Sequence, residues 1–127
     1  MANNAFLRAT STRILEKTVI MGSKGCFMWT GIAVGRPGLK YGKIRAKFPE
    51  DSESKYYYVH RLMFMARTNM VELPQGLHVS HLCKFSLCCN PLHLNLEPQA
   101  VNNSRQTCTD KCHGHYLSGI SFPDCLI

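Results

Sequence analysis

Between His81 and Leu94 the chain reads His-Leu-Cys-Lys-Phe-Ser-Leu-Cys-Cys-Asn-Pro-Leu-His-Leu, and no other stretch limits its fold so tightly. Cys83, Cys88 and His93 recur at five-residue intervals, short enough for one loop to wrap a tetrahedral zinc. A closed structural site needs a fourth ligand. Cys26 is the only cysteine in the first 82 residues, and beside the apolar run that ends at Trp29 it could close the site across the fold. Cys89 competes, but it directly follows Cys88, and adjacent residues rarely both turn inward to one metal. Cys26 is therefore the expected fourth ligand. A second group, Cys108, Cys112, His115 and Cys125, again totals four nitrogen or sulfur ligands. His113 is the alternative nitrogen there, disfavoured because it directly follows Cys112. The bland reading of both groups is a set of buried thiols and incidental histidines.

Seven cysteines and six histidines in 127 residues suggest that more than apolar burial holds the domain together, and metal or disulfide is the choice. The amino terminus has no basic run followed by a long apolar stretch, so no secretory signal is expected. No apolar segment approaches the length of about 18 residues that a membrane span needs. An intracellular, reducing home follows, where clustered cysteines and histidines are more often zinc ligands than disulfide partners. A secreted, disulfide-stapled protein is the third-ranked class. Fifteen Lys and Arg against eight Asp and Glu leave a net charge of +7, a balance that favours a polyanionic partner and suggests a nuclear address.

Without internal repeats or low-complexity linkers, the chain reads as one compact unit. Ala5 to Ile20 suits a short, weakly amphipathic helix, and Gly25–Trp29 a buried strand. The glycines and proline from Gly31 to Gly38 predict a loop. From Tyr41 to Phe48 the sequence alternates, which would put Lys43, Arg45 and Lys47 on one face of a strand at a spacing of about 7 Å. The turn from Pro49 to Lys55 and the strand Tyr56–Tyr58 complete a hairpin, and Val59–Arg67 follows as a buried helix in which His60 and Arg61 could simply pack or pair. Leu73–Gly76 is a turn, Leu77–His81 a strand, and Leu94–Leu96 a returning strand. Pro98 suits the first turn of a helix carrying Gln99 to Gln106. The order from Leu77 onward is strand, ligand loop, strand, helix. A histidine on that strand, His81, would face an asparagine on that helix, Asn102.

These residues identify relatives. Ser80-His81-Leu82-Cys83, then Cys88, Asn90-Pro91-Leu92-His93-Leu94, Asn102, Arg105 and Cys108, then Cys112-x-Gly114-His115 and Cys125, closely resemble the His-Cys box of homing endonucleases in the His-Me finger, or ββα-metal, nuclease superfamily. Cys26-x-x-Trp29-x-Gly31, Tyr41-Gly42-x-Ile44 and Val59-His60-Arg61 also look like pieces found before the box in HNH-type nucleases. The resemblance covers roughly residues 25 to 125.

It implies an α+β fold: a small zinc-braced domain with an antiparallel DNA-binding sheet and a ββα-metal nuclease core. The whole of 1–127 would be one such domain, with 1–24 an N-terminal helix, 25–70 sheet and helix, 71–107 the ββα-metal motif with the first zinc, and 108–127 the second zinc loop. The implied activity is a divalent-metal-dependent DNA endonuclease, a phosphodiester hydrolase. His81 would be the general base, Asn102 the ligand of a catalytic Mg²⁺, and both zinc ions structural. An arginine from the preceding sheet would contact the scissile phosphate. Arg45 is nominated for it, with Arg36, Lys47 and Arg61 as alternatives, while Lys43, Arg45 and Lys47 would hold double-stranded DNA. A monomer and a homodimer both fit. The alternative function is a non-catalytic, zinc-stabilised DNA-binding module on the same scaffold.

Overall fold

Trp29 sits where the two halves of the chain meet. It ends a short strand, is 5% exposed, and donates its indole N–H to the Ile32 carbonyl at 2.9 Å. The computed structural model describes residues 2–108 and 112–126. Residues 109–111 and 127 of the expected second zinc loop lie outside the described residues.

In chain order the elements are α1 (Ala2–Leu15), β1 (Thr18–Met21), β2 (Cys26–Trp29), β3 (Ala33–Arg36), β4 (Leu39–Ala46), β5 (Lys55–Tyr58), α2 (Val59–Thr68), β6 (Leu77–His81), β7 (Leu94–Pro98), α3 (Gln99–Ser104), β8 (His115–Leu117) and β9 (Ile120–Phe122). All pairings are antiparallel: β1 with β2, β4 between β3 and β5, β6 with β7, and β8 with β9. One core gathers Leu7 and Ile14 of α1, Trp29, Ile44 of β4, the apolar side of α2, Val79 of β6 and Leu94 of β7.

Two local expectations need correction. The helix expected over Ala5–Ile20 ends at Leu15, and Thr18–Met21 is a strand. Thr18, Val19 and Ile20 are β-branched, which disfavours the helix and suits pairing with β2. The stretch expected as a loop over Gly31–Gly38 contains β3, paired so that Arg36 faces Leu39. The two-residue connection Pro37-Gly38 makes that hairpin, with Gly38 at φ +82°, a left-handed conformation that glycine adopts without steric cost. Within the region expected as the second zinc loop, β8 and β9 form a hairpin whose turn Ser118-Gly119 has φ 52° and 80°, the pattern of a tight primed turn.

Elsewhere the periodicity holds. On β4, Gly42, Ile44 and Ala46 are buried while Arg45 is exposed and Lys43 half-buried, so the cation row lies on the outward face. The ββα order also stands, with His81 opposite Leu94 at the end of β6 and Pro98 as the residue before α3. The helical turn then tightens over Arg105–Thr107.

The ligand loop is stitched to β2 by its backbone. Trp29 N–H donates to Leu87 O at 3.0 Å and Cys89 N–H to Phe27 O at 2.8 Å, with Met28 opposite Cys88. These bonds bring Cys26 to the far end of the sequence. Close packing around Trp29 explains two glycines: a Cβ on Gly42 would stand 2.5 Å from Trp29 Cδ1, and one on Gly31 2.4 Å from Cζ2. We therefore expect Gly42→Ala to destabilise the domain by about 1–3 kcal/mol through overpacking. Denaturant unfolding followed by the emission of Trp29, the one tryptophan, measures it. An unchanged midpoint would contradict this packing.

Candidate metal centres and the hollow between them

Cys26 comes from β2, Cys83 and Cys88 from the loop after β6, and His93 from the turn before β7, and all four are buried. Their ligand atoms lie within 4.8 Å of one another. Cys26 Sγ and Cys88 Sγ are each 3.5 Å from His93 Nδ1. Zinc bonds of about 2.3 Å to sulfur and 2.0–2.1 Å to nitrogen at tetrahedral angles put sulfur and nitrogen about 3.5 Å apart, so the donor set fits the metal in kind and spacing. Cys89 stands aside. Its thiol is 3.3 Å from Phe27 O, and burial pushes it up to about 12. Within this coupled group the bond from Cys83, against the effect of burial, holds the Cys88 thiol below its ordinary value, while Cys83 itself is held above its own.

Cys108, Cys112, His115 and Cys125 form the second cluster, again within 4.8 Å. His115 Nε2 lies 3.3 Å from Cys108 Sγ and 3.2 Å from Cys125 Sγ, while its Nδ1 is 2.7 Å from Ser104 Oγ. Ser104 Oγ donates to Val101 O, so it accepts from Nδ1–H, and that tautomer leaves the Nε2 lone pair for a metal. His113 is exposed and outside the cluster. The cysteines are all free thiols.

Each cluster abuts one wall of the same hollow. His81 ends β6 two residues before Cys83, and Asn102 projects from α3 two residues before Ser104. Both line a recess of ≈ 110 Å³ with Tyr41, Lys84 and Arg105. Asn102 and Tyr41 also border an adjoining hollow of ≈ 310 Å³ with His60, Arg61 and Tyr58. The His81 ring packs 4.7 Å from that of His60 and 5.9 Å from that of Tyr41. Burial pushes His81 down to about 4, opposed by a hydrogen bond to the Cys88 backbone. The imidazole is thus neutral at physiological pH. Its Nε2 is buried without a hydrogen-bond partner among the described residues.

The cation row stands beside this hollow on the same face of β4 as Tyr41. Arg45 is four residues further along the strand, about 13 Å away, lying over the Tyr56 ring at 5.6 Å. Lys43 is nearer, and Arg36 and Lys47 are exposed. Among the arginines nominated for a phosphate, Arg61 is the one that borders the hollow shared with Asn102.

Arg105 is committed elsewhere. It donates through Nε to Glu97 Oε1 at 2.8 Å, pairs through Nη2 with Oε2, and donates through Nη1 to Cys125 Sγ at 3.3 Å. Glu97 is fully buried and also accepts from Asn95 at 2.9 Å. Glu97 and Ser104 were not singled out from sequence, and Tyr41 was named only as part of the piece Tyr41-Gly42-x-Ile44, with no role at the site. Tyr41 carried a signal, since it shares the period of Lys43 and Arg45. Nothing in the spacing marks a buried carboxylate.

A small α+β domain of short antiparallel sheets, braced by two Cys/His clusters with the geometry of zinc sites, is the class these features define. A family model for the zinc-binding loop region of homing endonuclease matches residues 26–126, and the chain belongs to that family. It is also similar to Protein 2.8 of Escherichia phage T7, 32% identical over 104 residues, which is 82% of this chain and 64% of that protein. The chain thus spans somewhat under two thirds of that relative. No solved structure matches it. Among the described residues no helix is long and apolar enough to cross a membrane.

Two outcomes test the clusters. His115→Ala should lose one zinc equivalent by atomic spectrometry and His113→Ala none; equal losses would break the assignment. Glu97→Gln should cost about 3–5 kcal/mol, because it strands a buried guanidinium. Burial, the largest influence on Glu97, raises its pKa, but the bonds from Arg105 and Asn95 bring it below the ordinary value. A depressed folded-state pKa contributes stability above the unfolded-state value and loses it as pH falls through the folded one. The acid limb of stability against pH should therefore flatten in Glu97→Gln.

Proposed function

We propose that this domain is a DNA endonuclease that hydrolyses phosphodiester bonds with His81 as general base and a divalent cation, Mg²⁺, held by Asn102. The observation that carries the reading is His81 and Asn102 on the walls of one recess, in a chain of the homing-endonuclease zinc-loop family. A neutral imidazole in a recess can take a proton from an attacking water, a role worth about 10²–10⁴ in rate. Asn102 offers a neutral amide oxygen, and its side chain makes no hydrogen bond among the described residues, which suits a hard cation shared with phosphate oxygens and water. When bound, the cation supplies charge stabilisation to the transition state and the departing 3′ oxygen. Arg61, at the border of the adjoining hollow, is the nearer choice for the scissile phosphate, with Arg45 further along the sheet. Lys43, Arg45 and Lys47 would hold the DNA backbone.

In this reading 1–127 is one nuclease domain, residues 71–107 supply the ββα-metal motif, and both zinc ions are scaffold. The phage origin of the relative gives a nuclear address no support.

The test is cleavage of supercoiled plasmid and of a labelled single strand by the purified protein, with and without Mg²⁺. Nicked or shortened product should require Mg²⁺ and fall by about 10²–10⁴ in His81→Ala, with DNA affinity and zinc content unchanged. Asn102→Ala should lose the Mg²⁺ response. DNA that is bound but never cut, on any substrate, would favour the non-catalytic module, and an active His81→Ala would remove His81 as the base.

A further inference from the structure

The outward face of the β3–β4–β5 sheet carries more than cations. Arg45 pairs across the strands with Tyr56 and Lys43 with Tyr58, and cross-strand partners share a face. Tyr56 is 47% and Tyr58 42% exposed. Lys43 Nζ lies over the Tyr56 ring at 4.4 Å. Tyr58 meets Tyr41 edge-on at 6.1 Å, and Tyr41 in turn contacts His81. The result is a strip of alternating cations and aromatic rings that runs from Arg45 to the recess, with no carboxylate on that face of the three strands.

Half-exposed rings set among cations suit flat, anionic partners, and a continuous duplex offers the rings little. Its bases are stacked on one another and present edges and phosphates to a protein. An unpaired strand offers the flat faces of its bases, and aromatic rings interleaved with cations are the surface that accepts bases and backbone together. Tyr56 and Tyr58 are two residues apart on one strand, a separation of about 7 Å that matches one base per ring, and the cations over Tyr56 are within reach of the phosphates between them.

We infer that this face binds a DNA strand whose bases are unpaired across the sheet, with Tyr56 and Tyr58 stacking bases and Lys43 and Arg45 on the intervening phosphates. The preferred substrate is then single-stranded or locally opened DNA, delivered along the strip to the recess at His81. This rests on the proposed action on DNA but not on the proposed chemistry.

Binding tests it separately from cleavage. Fluorescence anisotropy without added Mg²⁺, at one fixed ionic strength, compares the full chain on a labelled DNA single strand, its blunt duplex and an RNA strand of the same sequence. The DNA single strand should bind most tightly. Tyr56→Ala and Tyr58→Ala should each weaken it on the order of 10- to 100-fold and change duplex binding little, while Tyr56→Phe and Tyr58→Phe bind as the parent does. Both side chains are exposed, and zinc content and circular dichroism report that the variants fold. Tighter duplex or RNA binding, harmless alanine variants, or phenylalanine variants as weak as alanine would each overturn the inference. Cleavage that needs His81 alongside tyrosine-independent binding would overturn it and leave the nuclease standing. Tyrosine-dependent binding without cleavage would do the reverse.

Discussion

Everything in this molecule depends on Cys26 reaching across the sequence to Cys83, Cys88 and His93. The span is long, and the backbone bonds between β2 and the Leu87–Cys89 segment carry it only part of the way. Structural zinc is worth on the order of 10–16 kcal/mol in small peptides, as much as the whole stability of an ordinary domain. With metal at that cluster the turn between β6 and β7 has one shape, and His81, two residues before Cys83, is held at its rim. Without it, three buried thiols and an imidazole would crowd one another for no gain.

The second cluster does for α3 what the first does for β6. His115 grips Ser104 and Cys125 grips Arg105, and both partners lie within three residues of Asn102. Glu97 closes the circuit, because the Arg105 guanidinium that touches Cys125 is paired to the strand that runs back to the first cluster. The recess between His81 and Asn102 is thus set from two sides by metal-site geometry and from below by one buried ion pair.

Much of this was legible in the sequence because its signals are local. Ligand spacing gave both clusters, the period of two on β4 gave the outward cations, and the strand, loop, strand, helix order gave the ββα unit. What was missed depends on strand pairing or on burial rather than on the local residue pattern. Val19 and Ile20 read as helix because only pairing with β2 makes them strand, and β3 hid among glycines until β4 paired with it. Glu97 looked like any surface carboxylate, and only its burial against Arg105 gives it a role. Tyr56 and Tyr58 read as strand formers, and it takes the cross-strand register to put them beside Lys43 and Arg45.

The claim beneath the rest is that two metal clusters build the recess. X-ray absorption at the zinc edge on the purified protein, with metal content measured on the same sample, tests it most directly. The account predicts two zinc ions per chain and a mean shell of three sulfurs at about 2.3 Å with one nitrogen at about 2.0–2.1 Å. Fewer than two zinc ions, a shell dominated by oxygen or nitrogen, or cysteines recovered as disulfides would contradict it.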